Sequence, residues 1–462
     1  MTHHPDGMPT PKRYWAIVTI GLGIVMAVLD GAIANIALPT IARDLHVSSA
    51  FSIWVVNGYQ LAITISLLPL ASLGDIVGYR RVYFCGLALF TVASLACALS
   101  HSLLMLALAR VLQGFGAAGI MSVNTALIRF IYPARMLGRG IGINAVVVAI
   151  SAAAGPTIAS GILAVATWPW LFAVNVPIGI AACAIGIRAL PETARGSHPF
   201  DVLGAILSAV TFGLLIVGID AAGHGEAARL VAIEMTVAAA CAYLLVRREL
   251  SRTSPLLPID LLRIPIFTLS VCTSILSFAA QMLALVALPF RMQSEFGYSA
   301  VQTGLLITPW PLAIVVAAPI AGRLADRYPA GLLGGIGLVF FALGLLALAY
   351  LPQHPSFPDV AWRMTLCGLG FGFFQSPNNR AMLSAAPRER SGGASGMLGT
   401  ARLLGQTVGA ALVALLFSRF PGHATNVALF IAAGFALAAA AVSTLRLTSN
   451  AQQKPRRSSL TD

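Results

Sequence analysis

The chain has 462 residues, of which 58% are hydrophobic and 10% charged, and its formal net charge is +13. A soluble domain carries about 25% charged residues, so this charge content and a mean hydropathy of +0.85 exclude that class and imply a membrane protein; the helix-length runs below make it all-α. The positive balance follows the retention of Lys and Arg on cytoplasmic loops, and no basic–aromatic cluster stands out to signal nucleic acid.

Splitting the apolar runs at charges, prolines and glycines predicts fourteen helices, over 14–38, 51–73, 82–100, 102–124, 139–165, 168–190, 202–220, 228–247, 266–290, 301–322, 331–351, 359–379, 393–418 and 424–446. Each is about 20 residues, enough to cross a bilayer core of about 30 Å. The first run is too long for a signal-peptide core, so a retained span is expected. With the N-terminus inside, most of the 29 Lys and Arg fall on inner loops, tails and flanks. They include Arg80, Arg81, Arg135, Arg139, Arg247, Arg248, Arg252, Arg388, Arg390, Arg456 and Arg457. An odd number of spans would scramble that pattern, so both termini are expected in the cytoplasm.

The gaps 191–201 and 248–265 are too short for a soluble domain. The expected organisation is a cytoplasmic tail over 1–13, a six-helix half over 14–200, two inserted helices over 201–250, a second half over 251–447, and a polar, disordered tail over 448–462. The six cysteines lie in apolar runs without a CxxC pair, so they are read as packing residues and no metal site is expected.

Two inner loops look alike. ASLGDIVGYRR (71–81) and GRLADRYP (322–329) each place an aspartate just past an inward-running helix, with arginine close behind. Two related six-helix halves are the pattern of a duplicated transporter.

Here the residues carry a family resemblance. Both loops resemble the inner-loop motif of the major facilitator superfamily. The second matches at Gly322, Leu324, Asp326 and Arg327 and departs at Pro329; the first keeps Leu73, Asp75, Gly78 and Arg80 but has Ala71 and Tyr79 at two motif positions. LDGAIANIALPTIARDL (29–45) is similar to the helix 1 signature of the fourteen-helix drug:proton antiporters of the QacA/EmrB type. LALARVLQGFGAA (106–118) resembles their helix 4 signature, and WPWLFAVNVPIG (168–179) their helix 6. AAAGPTIASG (152–161) resembles their helix 5 antiporter motif through Gly155 and Pro156, with Ala159 and Ser160 where glycines are usual. The resemblance covers 14–446 and implies the major facilitator fold, two six-helix halves with two inserted helices.

It also implies proton-coupled export of lipophilic or cationic compounds across the bacterial inner membrane, by alternating access, with the proton gradient in place of a cofactor. Asp30 sits within an apolar run, where an ionised carboxylate costs at least about 2.5 kcal/mol and marks an ion path or a partner. Asp30 and Arg110 each lie about 12 Å from the expected outer end of their helices, at 1.5 Å per residue. Similar depth permits contact. Two readings stay open: a proton-coupling pair, or a fixed pair that holds two helices.

Asp75 and Asp326 are expected to pair with nearby arginines such as Arg80 or Arg327, or to cap a helix, and so to gate the inner face. Gly155-Pro156 should kink helix 5, as a seal or as packing alone. Glu234 is expected to reach toward the outer surface, Arg402 to make a structural pair, and Asn378 and Asn379 to bond at a helix end. Cargo-facing candidates are Trp54, Asn57, Tyr59, Gln60, Asn144, Phe278, Gln281, Met282, Trp310, Phe374 and Gln375, aromatic faces and polar groups that attract organic cations. With one convincingly deep acid, monocationic, zwitterionic or neutral lipophilic cargo is favoured over dications.

The rival readings are an exporter of one native metabolite, antibiotic or siderophore, and a membrane enzyme or sensor. The latter lacks metal-ligand spacing and a nucleotide-binding loop; GLGFG (368–372) has no strand context. The expected partners are a small-molecule cargo, the proton and the lipid bilayer, with no nucleic acid. A monomer is expected, and a periplasmic adaptor is left open.

Overall fold

The computed structural model describes residues 7–133, 136–193, 200–224, 228–250, 259–387, 390–420 and 422–452. Arg135, Arg252, Arg388, Arg456 and Arg457, and the tail from residue 453 onward, lie outside them. No strand occurs among the described residues. The helices are α1 (Lys12–Asp44), α2 (Trp54–Val77), α3 (Tyr79–Ala98), α4 (Leu103–Ile131), α5 (Leu137–Val165), α6 (Asn175–Ala189), α7 (Val202–His224) and α8 (Ala228–Leu250). They continue with α9 (Pro265–Phe290), α10 in two pieces (Ala300–Ile307 and Pro309–Leu324), α11 (Ala330–Ala349), α12 (Phe357–Ala385), α13 (Ser391–Arg419) and α14 (Ala424–Gln452). All fourteen expected helices are therefore present.

Among the described residues, thirteen helical stretches are long and apolar enough to cross a membrane. The exception is α12, which Asp359, Arg363, Gln375, Asn378, Asn379 and Arg380 make more polar than the rest. Helix α1 runs past its expected end at 38 to Asp44, with Pro39 inside it. Proline removes one N–H from the ladder. A turn away, the Gln293 carboxamide, from a π turn over Arg291–Glu295, donates to Ile36 O at 3.0 Å. Starts are capped by short polar side chains, as helix N-termini require. Ser102 Oγ accepts from Met105 N at 3.3 Å, and Ser299 with Gln302 forms a capping box. Gly78, at φ 100°, ends α2 in a conformation that favours glycine.

The chain forms two compact units. The first comprises Met1–Arg248, Leu288–Thr308 and Ala410–Pro421; the second comprises Glu249–Ala287, Pro309–Gly409 and Gly422–Asp462. The first unit thus holds α1 to α7 and α8 up to Arg248, together with end pieces of α9, α10 and α13, which the sequence division at 250 assigns to the second half. Local contacts explain this. Thr40 Oγ1 donates to Gln293 Oε1 at 3.3 Å, the Thr157 and Thr308 hydroxyls lie 2.9 Å apart, and a Cβ on Gly304 would meet Pro156 O at 2.5 Å. The inserted pair is tied by Arg248 Nη2, which donates to Asp201 Oδ1 at 2.7 Å.

Each unit contains the same glycine seam. A Cβ on Gly114 of α4 would strike Tyr59 O at 2.6 Å and Ala62 Cβ at 2.7 Å on α2. Two residues on, a Cβ on Gly116 would strike Phe90 N at 2.5 Å and Gly86 O at 2.8 Å on α3. In the second unit a Cβ on Gly368 of α12 would strike Trp310 O and Ala313 Cβ of α10, and one on Gly370 would strike Phe341 N and Gly337 O of α11. Tyr59 to Trp310, Gly86 to Gly337, Phe90 to Phe341 and Asp75 to Asp326 are all the same shift of 251 residues. That shift also carries the cap Ser48 onto the cap Ser299, and His46 (φ 53°) onto Gly297 (φ 72°). The duplication inferred from two loops therefore extends through the packing of three helices.

Filling such a seam forces helices apart, and overpacking costs about 1–3 kcal/mol or more. Gly116→Val and Gly370→Val should each lower the thermal midpoint of the detergent-solubilised protein by several degrees. Gly434→Val, in open space, should leave it unchanged; fluorescence-detected unfolding checks all three.

Candidate functional site

A buried polar cluster of the first unit is built by five helices around the carboxylate of Asp30. Arg110 is 0% and Asp30 2% exposed, and the two form an ion pair through Arg110 Nη1 and Asp30 Oδ2. The other carboxylate oxygen, Oδ1, accepts from Gln113 Nε2 at 2.9 Å and from Asn175 Nδ2 at 3.0 Å. Gln113 Oε1 accepts from Arg110 Nη1 at 2.6 Å, and Gln113 Nε2 also donates to Ser94 Oγ at 2.9 Å. Arg110 Nε donates to Val55 O at 2.8 Å. Arg110 Nη2 has no hydrogen-bond partner among the described residues. The guanidinium instead lies over the Tyr59 ring, 4.1 Å from its centroid, and within 5.4 Å of Phe172. Cation–π attraction holds it there. Tyr59 is fixed in turn by its hydroxyl, which donates to Ala27 O at 2.8 Å.

The local sequence places these groups. Arg110 and Gln113 stand three apart on α4, so both point to one face. Asn175 opens α6 after the one-turn helix Trp170–Ala173. The cluster contains one anion and one cation, and all their neighbours are neutral. A proton on Asp30 would cancel its attraction for Arg110 while leaving the two amide donors facing a neutral acid. The carboxylate is thus held by contacts that depend on its charge, and it is shut from solvent.

Depth in the sequence pointed to the Asp30–Arg110 contact, and the structure brings the two together. Gln113 and Asn175 lie inside the quoted signatures, but only the three-residue spacing from Arg110 could have marked Gln113, and nothing in the chain marks Asn175.

Other expectations change. Asp75 accepts from the Tyr79 hydroxyl and not from Arg80. Arg80 Nη2 donates to Ile187 O at 2.6 Å, and Nη1 lies 3.5 Å from Glu192. Asp326 pairs with Arg380 of α12 and not with Arg327. The donor to Asp75 is thus a tyrosine of the same motif, four residues on, whereas Asp326 is met by a separate helix. Gly155 and Pro156 lie within one continuous helix, and a Cβ on Gly155 would meet Ala32 Cβ at 2.5 Å, a close α1–α5 approach. Glu234 turns Oε2 into the protein near Gly218 of α7, where it has no hydrogen-bond partner among the described residues. Asn378 sits well inside α12 and not at its end. It donates to Ser274 Oγ at 2.8 Å and accepts from Arg446 Nη1 at 2.7 Å. Arg402 makes no structural pair among the described residues.

The cargo-facing candidates fall into two groups. Asn57, Tyr59, Gln60, Phe278, Met282, Trp310 and Phe374 are buried. Trp310, Phe341, Phe371, Phe374 and Phe278 pack edge-on with centroids 5.2–5.6 Å apart. Trp54, Asn144, Gln281 and Gln375 are partly exposed, and Asn144 Oδ1 accepts from Asn124 Nδ2 at 2.8 Å.

A family model described as Major Facilitator Superfamily matches residues 20–409 and 269–461. The chain is 59% identical over 445 residues to the Escherichia coli protein named "Uncharacterized transporter YebQ", covering 96% of this chain and 97% of that one. It is 31% identical to the riboflavin transporter RibZ of Clostridioides difficile (88% and 89% covered). It is 33% identical to the multidrug resistance protein Stp of Mycobacterium tuberculosis (86% and 74% covered). A crystal structure of a POT family transporter with a thioalcohol-conjugated peptide has a similar fold, with a TM-score of 0.72 at 16% identity over 96% of this chain and 97% of that one.

Removing one member of a buried pair costs about 3–5 kcal/mol, because the other charge is left uncompensated. Arg110→Met should therefore destabilise the protein strongly, and the double variant Asp30→Asn/Arg110→Met should recover part of that loss. Scanning fluorimetry of all four members of the cycle reads the coupling; strictly additive losses would contradict it.

Proposed function

This chain belongs to the Major Facilitator Superfamily, and on that premise we propose that it is a secondary active exporter of lipophilic or cationic toxic compounds, working by proton antiport with alternating access. The observation that supports the antiport most directly is the sealed Asp30 cluster, in which a single protonation would undo an ion pair joining α1 to α4. The fourteen-helix antiporter signatures and the likeness to a multidrug resistance protein support the cargo class. In this reading Asp30 takes up a proton from the outer side, Arg110 sets its affinity for that proton, and Asp75 and Asp326 with their partners hold the inner ends of their helices. The protein works as a monomer in the bacterial inner membrane with both termini in the cytoplasm, driven by the proton gradient without a cofactor. An export adaptor in the periplasm is compatible with it.

A second reading, export of one native metabolite, is favoured by the likeness to a riboflavin transporter. It keeps the same coupling acid and differs in the breadth of cargo.

Ethidium export from energised cells separates the two. Wild-type export should fall to background with a protonophore, and Asp30→Asn should reduce it at least about tenfold while the protein still inserts. Wild-type cells that never export ethidium would put the single-metabolite reading first. Export that survives both the protonophore and Asp30→Asn would remove proton antiport.

A further inference from the structure

Other arginines of the helical body have identified partners. Arg110 is paired with Asp30, and Arg291 Nε lies 3.4 Å from Glu295. Arg446 donates to Ser270 Oγ at 3.1 Å, Asn378 Oδ1 at 2.7 Å and Ser443 O at 3.2 Å. Arg402 of α13 has none. No hydrogen bond, ion pair or ring contact involves it among the described residues, and its Nε is buried and unpaired. The rest of the side chain is partly exposed.

Its depth makes this consequential. Arg402 lies 11 residues into the helix that starts at Ser391, about 16 Å along the axis at 1.5 Å per residue. Snorkelling serves arginines near helix ends. A guanidinium this deep faces a polar space or an anion, because exposure to lipid is costly. The α13 surface around it is suited to a polar space. Ser395, Gly399, Arg402 and Gln406 recur at spacings of three and four, one face of a helix without a branched apolar side chain. The neighbouring face carries Gly405, where a Cβ would meet Ile275 O of α9 at 2.5 Å and Phe278 Cβ at 3.0 Å. The stripe therefore borders a tight α9 contact and an aromatic wall.

Duplication does not account for this arginine. At the shift of 251, Asp30 corresponds to Gln281 of α9. Gly114 to Gly368 and Gly116 to Gly370 give α4 and α12 a shift of 254, which takes Arg110 to Met364 and Gln113 to Cys367. At these positions the second copy carries neither the acid, nor the cation, nor the bridging amide. In the second unit, then, Arg402 is a cation on a different helix, without a hydrogen-bond or ion-pair partner among the described residues.

We infer that Arg402 is the recognition cation for an acid group on the cargo, a carboxylate or a similar planar oxyanion, with Gln406 one turn away as a further N–H donor. Guanidinium binds such groups through two parallel hydrogen bonds, and the partly exposed, unpaired end of the Arg402 side chain supplies that fork. The inference rests on the export reading and narrows it: the cargo is a lipophilic molecule bearing one acid, alone or as part of a zwitterion, rather than a simple cation.

The test is equilibrium binding of two xanthene dyes, anionic carboxyfluorescein and cationic rhodamine 6G, to the purified full chain in nanodiscs, read by fluorescence anisotropy. Wild type should bind carboxyfluorescein, Arg402→Gln should bind it at least tenfold more weakly, and Arg402→Lys should fall between them. Rhodamine 6G binding should be the same in all three. The inference is overturned by a wild type that does not bind carboxyfluorescein, by an Arg402→Gln protein that binds it as wild type does, or by equal loss of both dyes, which would mark a packing role. No gradient is present in this assay, so a failure of proton antiport leaves its result standing. Proton-driven ethidium export without Arg402-dependent anion binding would remove this inference alone.

Discussion

An ionised carboxylate cannot stand alone where water is excluded, and the interior of the first unit is arranged to meet that constraint. Asp30 receives a guanidinium on one oxygen and two amide N–H groups on the other. Each donor comes from a helix held at a set height: Arg110 and Gln113 by the close approach of α4 to α2 and α3, Asn175 by the start of α6. The aromatic ring of Tyr59 closes over the cation. A buried pair of this kind adds little to stability, since desolvation offsets most of the Coulomb gain. Breaking it is another matter, because either charge left without the other stays buried and uncompensated.

The two copies of the duplicated unit share scaffold and differ in chemistry. Backbone-to-backbone contacts at Gly114 and Gly116 recur at Gly368 and Gly370 with the same partners in register. Side-chain identities diverge where charge would be buried, with glutamine, methionine and cysteine replacing the acid, the cation and the amide. Close helix approach through small residues provides van der Waals packing where no hydrophobic drive between helices exists. That drive is equally absent from both copies, so the seam persists.

Much of this was legible before any coordinates. Helix number follows from apolar runs split at charges, prolines and glycines, and equal depth along two helices makes an Asp30–Arg110 contact possible without requiring it. Partners across helices were not legible. Asp326 meets Arg380 from a distant stretch of chain, and Asn378 meets Arg446, because lateral order in a bundle is written in packing and not in hydropathy. The polar residues inside spans also mislead. Thr19, Thr91, Ser94, Ser277 and Thr407 donate to a carbonyl of their own helix, one turn back, so much of the hydroxyl content is satisfied locally and says nothing about cargo. The absent pair at Arg402 was equally invisible, since a sequence shows a charge and not its lack of a partner.

The solitude of Asp30 in the middle of its span has an electrical meaning. If that carboxylate alone exchanges a proton in each cycle, one positive charge enters whatever leaves. Export of a monocation would then be electroneutral and respond only to the pH difference. A neutral or zwitterionic cargo would move one net charge inward, and a monoanion two. Each net charge is worth about 2.3 kcal/mol per 100 mV of membrane potential. The charge on the cargo would thus decide how far transport responds to voltage, so that the same protein would concentrate anions more steeply than cations in a cell with a high resting potential.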